Sequence, residues 1–309
     1  MQVVLPCLRQ GLAEVHFLFY AVLAWRMLFV PLHVFMSFPD NHPTLTLNDG
    51  HQIPQIAFGT WQTSEENMLN ALEVGYRHID TAMCYQNEDA VGRAVRRSGL
   101  RREEVFVTTK LWNTDHGRAR EALEESLERL GFDYVDLYLI HWPQPAVNKR
   151  VEAWAAMEQA RADGLVRSIG VANFMPRFLN EILENGSVAP AVNQIEYHPT
   201  FQQPELQAAN EAAGVVTAAY APLGQAKDSD SGVIGQIARE TGRAGTQVML
   251  RWHLQSGRVV IPKSATPARI AQNFAVTDFT LTPEQIAAIN TLDARNRLYR
   301  PPYEDPDFA

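Results

Sequence analysis

Val105-Phe106-Val107-Thr108-Thr109-Lys110 and Val135-Asp136-Leu137-Tyr138-Leu139-Ile140-His141 decide the fold. Each is a short β-prone run that ends on an ionisable residue, and the segment between them, Arg118–Leu130, spaces its apolar residues as a helix does. Working outward, Ile56–Gly59 and Tyr76–Ile79 upstream are runs of the first kind, as are Val166–Val171, Ala191–Ile195, Val215–Ala219 and Arg258–Ile261 downstream. Helix-period segments lie between and after them, at Glu65–Val74, Glu88–Arg97, Val151–Ala162, Pro176–Leu183, Pro204–Ala213, Thr246–Gln255 and Arg269–Phe274. Eight strands alternating with eight helices predict an α/β fold, a (β/α)8 TIM barrel. Ahead of the first strand, Asn48-Asp49-Gly50 separates the β-prone ends of Leu45–Ile53 and predicts a hairpin, placed at the bottom of the barrel. The Gly/Asp/Ser-rich connection from Pro222 to Gly232 reads as a mobile loop, and no linker or internal repeat divides the body.

Composition narrows the functional classes. The chain has 309 residues, 46% hydrophobic and 20% charged, which suits a soluble globular protein with a large core. A net charge of −8 gives no long-range field for holding a polyanion, so nucleic acid is excluded as a partner. Two cysteines, Cys7 and Cys84, make no disulfide framework, and no Cys/His spacing suggests a metal site. The expectation is a monomer in a reducing, cytoplasmic compartment that acts on a small molecule.

Residues 1–36 differ from the rest, with Arg9, Glu14 and Arg26 as their only charged side chains. Phe17–Met36 is long enough to span a bilayer, but Arg26 near its middle costs about 2.5–3.5 kcal/mol on insertion, and Pro31 and His33 weaken it further. A membrane anchor, a cleaved signal and a start codon called too early all compete. The change of composition at Met36-Ser37-Phe38 favours translation from Met36. The chain therefore reads as an apolar extension over 1–36 and one barrel over 37–309, with a membrane role not expected.

Asp80, Lys110 and His141 stand just past successive strand ends, spaced by about one β/α unit. In a TIM barrel such residues converge on one mouth. A buried lysine needs an anion, which Asp80 supplies, and a charged lysine lowers the pKa of a nearby phenol. Tyr85, in the loop after Asp80, is that phenol. A tyrosine so placed can exchange a proton with a carbonyl oxygen while a histidine orients it. Taken singly, each residue has a commoner structural use: a strand-end cap, a half-buried ring, a snorkelling lysine, a satisfied core histidine.

Asp80-Thr81-Ala82-Met83-Cys84-Tyr85, Thr109-Lys110-Leu111-Trp112-Asn113 and Asp136-Leu137-Tyr138-Leu139-Ile140-His141-Trp142-Pro143 together resemble the catalytic motifs of the aldo-keto reductase family. The resemblance runs from about Leu45 to about Arg297, and Asn113-Thr114-Asp115-His116-Gly117 is most similar to the bacterial 2,5-diketo-D-gluconate reductase type. It implies NADPH-dependent reduction of an aldehyde or ketone by a tetrad of Asp80, Tyr85, Lys110 and His141.

The resemblance also implies a cofactor site. Asn173, in Ser168-Ile169-Gly170-Val171-Ala172-Asn173-Phe174, and Gln194 fall where the family holds the nicotinamide carboxamide, with Ala172 replacing the usual serine. Tyr220 falls where the ring stacks, and Leu223 beside it. Ile261–Asn273 resembles the adenosine 2′-phosphate site, with Lys263, Ser264, Arg269 and Asn273 as its residues and Gln272 replacing a frequent glutamate. The chemistry agrees, since Pro267 opens a helix whose N-terminus favours anions and arginine can fork onto phosphate. NADP(H) is thus expected over NAD(H), and no Gly-x-Gly-x-x-Gly fingerprint points to a Rossmann site. Trp61, Trp112 and Trp142 adjoin strand ends and are expected, with His141, to line the substrate pocket. Two other functions use the same residues: a Schiff-base aldolase with Lys110 as nucleophile, and a non-enzymatic binding or regulatory barrel.

Overall fold

Strands β1 (Thr44–Thr46) and β2 (Gln52–Pro54) form the predicted hairpin, with Leu45 opposite Ile53. The structure, a computed structural model, describes residues 42–300 apart from 145, 147, 228 and 231. The apolar stretch before Met36 and Cys7 lie outside the described residues, so the readings placed on them are not addressed by it.

Eight parallel strands follow in chain order: β3 (Phe58–Gly59), β4 (His78–Asp80), β5 (Phe106–Leu111), β6 (Val135–Ile140), β7 (Val166–Ala172), β8 (Val192–Glu196), β9 (Val216–Tyr220) and β10 (Val259–Ile261). Each pairs with its neighbours in sequence, as right-handed β/α units require. The ring closes where the segment before β3 meets β10. The Ala57 N–H donates to the Val260 carbonyl at 2.8 Å, the Val260 N–H to the Gln55 carbonyl at 2.8 Å and the Gly59 N–H to the Pro262 carbonyl at 3.0 Å. The expected (β/α)8 barrel is therefore the observed one.

The hairpin closes the N-terminal end of the barrel. The Asn48 side chain donates to the carbonyl of Pro190, just before β8, at 2.8 Å, and the His78 ring at the start of β4 meets the Pro54 carbonyl at 3.1 Å. Ile53 is fully buried beneath it. The opposite, C-terminal end is left as the mouth.

Helices α1 (Glu65–Val74), α2 (Glu88–Arg97), α3 (Ala119–Leu130), α4 (Arg150–Ala162), α5 (Pro176–Asn185) and α6 (Pro204–Ala212) follow β3 to β8 in turn. Their ends carry local signals. Ser64 caps α1 by accepting from the Asn67 N–H, and Glu65 and Glu66 sit in its first turn. Gly92 lets α2 approach α3 closely, since a Cβ there would lie 1.9 Å from the Leu130 carbonyl oxygen. Between β9 and β10 there are two helices, α7 (Gly232–Thr241) and α8 (Gly245–Gln255), where sequence reading placed one. After β10 come α9 (Pro267–Phe274) and an unpredicted α10 (Pro283–Asn290), which Thr282 caps by accepting from the Gln285 N–H.

Most of the core lies between strands and helices, from Ile56 and Val107 to Trp154 and Ile182. Inside the barrel, polar side chains stack on the pleat. His78 meets Thr108 at 2.9 Å, and one pleat nearer the mouth Lys110 meets Asp80 at 2.6 Å. Among the described residues no helix is long and apolar enough to cross a membrane.

Candidate active site

Asp80 and Lys110 do not lie just past their strands, as the sequence suggested. They are strand residues, Asp80 the last of β4 and Lys110 the penultimate of β5, and both point inward. Lys110 is fully buried and Asp80 only 2% exposed. The Lys110 ammonium donates to Asp80 Oδ1 at 2.6 Å and to the Thr81 carbonyl at 2.8 Å, and lies 3.5 Å from the Tyr85 hydroxyl. The other Asp80 oxygen accepts from Gln194 Nε2 at 2.7 Å. Strand β8 lies four places round the ring from β4, so this bond crosses the barrel.

Tyr85 is carried by a 3₁₀ turn, Met83–Tyr85, closed by the Tyr85 N–H on the Ala82 carbonyl at 3.0 Å. Asn87 braces the loop: it accepts from the Thr81 hydroxyl at 2.8 Å and donates to the Thr60 carbonyl at 2.9 Å. His141 follows β6 directly. Its Nδ1 is 3.6 Å from the Cys84 thiol, its carbonyl accepts from Asn173 at 3.0 Å, and its ring meets Tyr85 and Trp112 edge-on.

The charges follow from burial and neighbours. Burial, the largest influence, would pull the Lys110 ammonium down, but Asp80 together with Tyr85 and Cys84 more than offsets it and holds it above the ordinary lysine value. Burial pushes the Tyr85 phenol up to about 12, while Lys110 pulls it down and Asp80 pushes it up again. The downward tuning expected from Lys110 is therefore real but smaller than desolvation. Burial, and then Lys110, hold His141 well below 6.5, so the ring is neutral at neutral pH. The arrangement offers a neutral phenol, a fixed cation beside it and a neutral imidazole, which is the equipment for giving a proton to an oxygen atom.

The expected cofactor residues fall into two groups. At the mouth, the Tyr220 hydroxyl donates to Asn173 Oδ1 at 2.9 Å, and Asn173 takes the left-handed conformation, φ 61°, that asparagine tolerates. Gln194, expected on a carboxamide, donates one amide N–H to Asp80. Leu223 is half-buried against the core. The second group lies on α9 and in the segment that leads into it. Lys263 and Arg269 are exposed and, among the described residues, neither makes an ion pair. The Ser264 hydroxyl accepts from the Thr266 N–H at 3.1 Å, and Asn273 is buried on α9. Thr266, the cap, makes no side-chain bond to the helix, so its first N–H groups and two cations are available to an anion. The donor set fits a phosphate.

The three tryptophans separate. Trp61 is 46% exposed on the rim and Trp112 is half-buried against His141, whereas Trp142, at 8%, belongs to the core between barrel and helices. Two contributors were missed in the sequence. Cys84 was counted only as a thiol, although its place beside Tyr85 puts it on the same short turn. Glu196, at the end of β8, carries no sequence signal of its own, and it accepts from the backbone N–H groups of Leu298 and Tyr299. Among the described residues no cluster of His, Cys, Asp and Glu could hold a metal.

The profile of the aldo/keto reductase family matches residues 55–294. Methylglyoxal reductase DkgA of Escherichia coli strain K12 is 47% identical over 264 residues, which is 84% of this chain and 96% of the relative. An aldo-keto reductase of Mycolicibacterium smegmatis is 48% identical over 83% of this chain and 95% of its own. The crystal structure of an aldo/keto reductase from Brucella melitensis superposes with a TM-score of 0.78 at 45% identity, covering 82% of this chain and 100% of that one. That of a Bombyx mori aldo-keto reductase in complex with NADP has a TM-score of 0.78 at 39% identity, covering 83% of this chain and 94% of that one. With most of its barrel matched at this level, the chain belongs to the aldo/keto reductase family of oxidoreductases.

Proposed function

We propose that this protein reduces small aldehydes and ketones with NADPH, and that α-dicarbonyls such as methylglyoxal are its first substrate class. The observation that carries the reading is the buried chain Asp80–Lys110–Tyr85 at the open end of the barrel, with 2.6 Å and 3.5 Å between its polar atoms. The substrate class follows the activity named for the Escherichia coli relative, and the cofactor follows the donors at α9 and the NADP held by the Bombyx mori protein.

Asn173, Gln194 and Tyr220 would hold the nicotinamide end, and Lys263, Ser264, Arg269 and Asn273 the adenosine phosphate end. Bound there, NADPH supplies a hydride to the carbonyl carbon. Tyr85 gives its phenolic proton to the carbonyl oxygen. Lys110 stabilises the phenolate that remains, and Asp80 keeps Lys110 charged and aimed. His141 has Nδ1 engaged by Cys84, so Nε2 is the nitrogen that orients the oxygen. Trp61 and Trp112 border the substrate. A Schiff-base role for Lys110 needs a neutral amine, and the raised Lys110 pKa together with its three close polar contacts disfavours it. Initial rates of NADPH consumption with methylglyoxal, keto sugars and aryl aldehydes test the proposal, and no turnover with any of them would leave a binding barrel as the better reading.

Two further results are expected. Lys263→Ala or Arg269→Ala raises KM for NADPH far more than for NADH, because only NADPH carries the 2′-phosphate. A lost charge-assisted bond corresponds to about 1.5–3 kcal/mol, roughly ten- to a hundredfold. Equal effects on both cofactors would place the phosphate elsewhere. The second concerns pH. With its pKa raised, Tyr85 stays protonated through the neutral and mildly alkaline range, so reduction should be nearly flat with pH there. Alcohol oxidation needs the phenolate and should rise as pH climbs towards the phenol's pKa. Parallel profiles for the two directions would argue against Tyr85 as the proton donor.

A further inference from the structure

Cys84 and Tyr85 are neighbours on the 3₁₀ turn Met83–Tyr85, which Gln86 closes in the left-handed conformation, φ 56°. Both side chains reach His141. The Cys84 Sγ lies 3.6 Å from Nδ1, and the Tyr85 ring meets the imidazole edge-on with centroids 5.9 Å apart. Trp112 also meets the imidazole ring to ring, centroids 5.2 Å apart. Among the described residues the half-buried thiol is the one hydrogen-bonding partner of the His141 ring. The brace that fixes Tyr85 fixes the thiol too, with Asn87 bonded to the Thr81 hydroxyl and the Thr60 carbonyl.

A neutral imidazole can carry its proton on either nitrogen, and the hydrogen bond made by one nitrogen decides which. Sulfur donates and accepts only weakly, whereas the bare nitrogen of a neutral imidazole is a full acceptor. An S–H group pointing at Nδ1 is therefore the better pairing, since the reverse would set an Nδ1–H against a poor acceptor. Both groups hold the charge state this needs. Burial pushes the Cys84 thiol up to about 11, with Lys110 pulling it part of the way back, so the proton stays on sulfur at neutral pH. His141 is held neutral, so Nδ1 has a lone pair to accept it.

We propose that Cys84 is a positioning residue whose S–H donates to His141 Nδ1 and fixes the ring with its own proton on Nε2, the tautomer that can donate to a carbonyl oxygen. The inference rests on the carbonyl-reductase reading above. With the other tautomer, Nε2 would turn a lone pair on the carbonyl oxygen, and the two lone pairs repel. Cys84 makes no bond to the substrate in this account and acts only through His141. One short turn thus carries both the proton donor, Tyr85, and the group that sets the state of its partner.

The test uses the full chain with Cys84→Val, which keeps the bulk and removes the donor, and Cys84→Ser, which keeps a donor. Nitrogen NMR of the imidazole rings at neutral pH reads the tautomer, the His141 signals being identified by their absence in His141→Gln. The unaltered protein should show a bare Nδ1 and a protonated Nε2, and Cys84→Val should show the two tautomers mixed. In Cys84→Val, kcat for methylglyoxal should fall about tenfold, the upper scale for one neutral hydrogen bond, with NADPH affinity unchanged. Cys84→Ser should recover most of that loss. A protonated Nδ1 in the unaltered protein overturns the proposal, as does an undiminished kcat in Cys84→Val or a Cys84→Ser variant no faster than Cys84→Val. If Cys84→Val does not fold, the spectrum of the unaltered protein and the kcat of Cys84→Ser still decide. Absence of turnover with any aldehyde or ketone in the unaltered protein would instead refute the carbonyl-reductase reading, and the spectrum would still judge the hydrogen bond.

Discussion

Tyr85→Phe should abolish nearly all carbonyl reduction while leaving the protein folded and able to bind NADPH. The substitution removes one hydroxyl, whose contact with the fold is the 3.5 Å approach of Lys110. The ring keeps its edge-on packing against His141, and the 3₁₀ turn is held by backbone and by Asn87, not by the hydroxyl. What is lost is the proton donor, and general acid catalysis is typically worth about 10²–10⁴-fold. Single-turnover rates with saturating NADPH, set beside a fluorescence titration of NADPH, separate chemistry from binding. Turnover within a factor of two of the unaltered protein would remove Tyr85 from the mechanism.

The second large effect is on stability. Lys110→Met should cost about 3–5 kcal/mol as well as activity, because it strands the Asp80 carboxylate in the barrel interior. Among the described residues Gln194 would then be the one side chain left bonding that carboxylate, and one amide N–H does not replace an ammonium. The double variant Asp80→Leu/Lys110→Met removes both charges and should recover most of the lost stability, since apolar replacement of a buried pair is often neutral or better. It should remain inactive. Urea unfolding of the three proteins provides the measurement. A single variant that loses less than about 1 kcal/mol would mean that the pair is far better solvated than its burial indicates.

These two variants probe the part of the molecule most legible in the sequence. The barrel strands were visible because both faces of a parallel strand are buried, so Val135–Ile140 and Val166–Val171 read as apolar runs with few alternatives. Asp80, Lys110 and His141 were visible because polar residues at the ends of such runs are conspicuous. Less was visible where position depends on the ring as a whole. That Gln194 reaches Asp80 follows only from β8 standing opposite β4, which local pattern does not encode. Trp142 adjoins a strand end just as Trp112 does, yet one turns into the core and the other onto His141, and adjacency in sequence cannot separate them. Helix α7 went unread because a Gly/Asp/Ser-rich run leads into it and Gly232 opens it, so the loop signal hid Val233, Ile234 and Ile237. The direction of the Tyr85 shift was misjudged for a related reason: the charge of Lys110 is written in the sequence, whereas the depth of burial is not.

The seam between Gln55–Gly59 and Val260–Pro262 has a consequence for biosynthesis. The two edges that meet there are separated by about two hundred residues of chain, Gln55 also donating to the carbonyls of Leu254 and Arg258. At roughly 5–20 residues per second on the ribosome, the first edge waits about 10–40 s for its partner to be made. During that interval the nascent sheet carries unpaired N–H and C=O groups at β3 and at each newly added strand, the features through which sheets aggregate. The short length of β3, two residues, keeps the waiting edge small. A polypeptide released before Val259 would keep both edges open, so premature termination late in the message should yield insoluble product in place of a weakened enzyme.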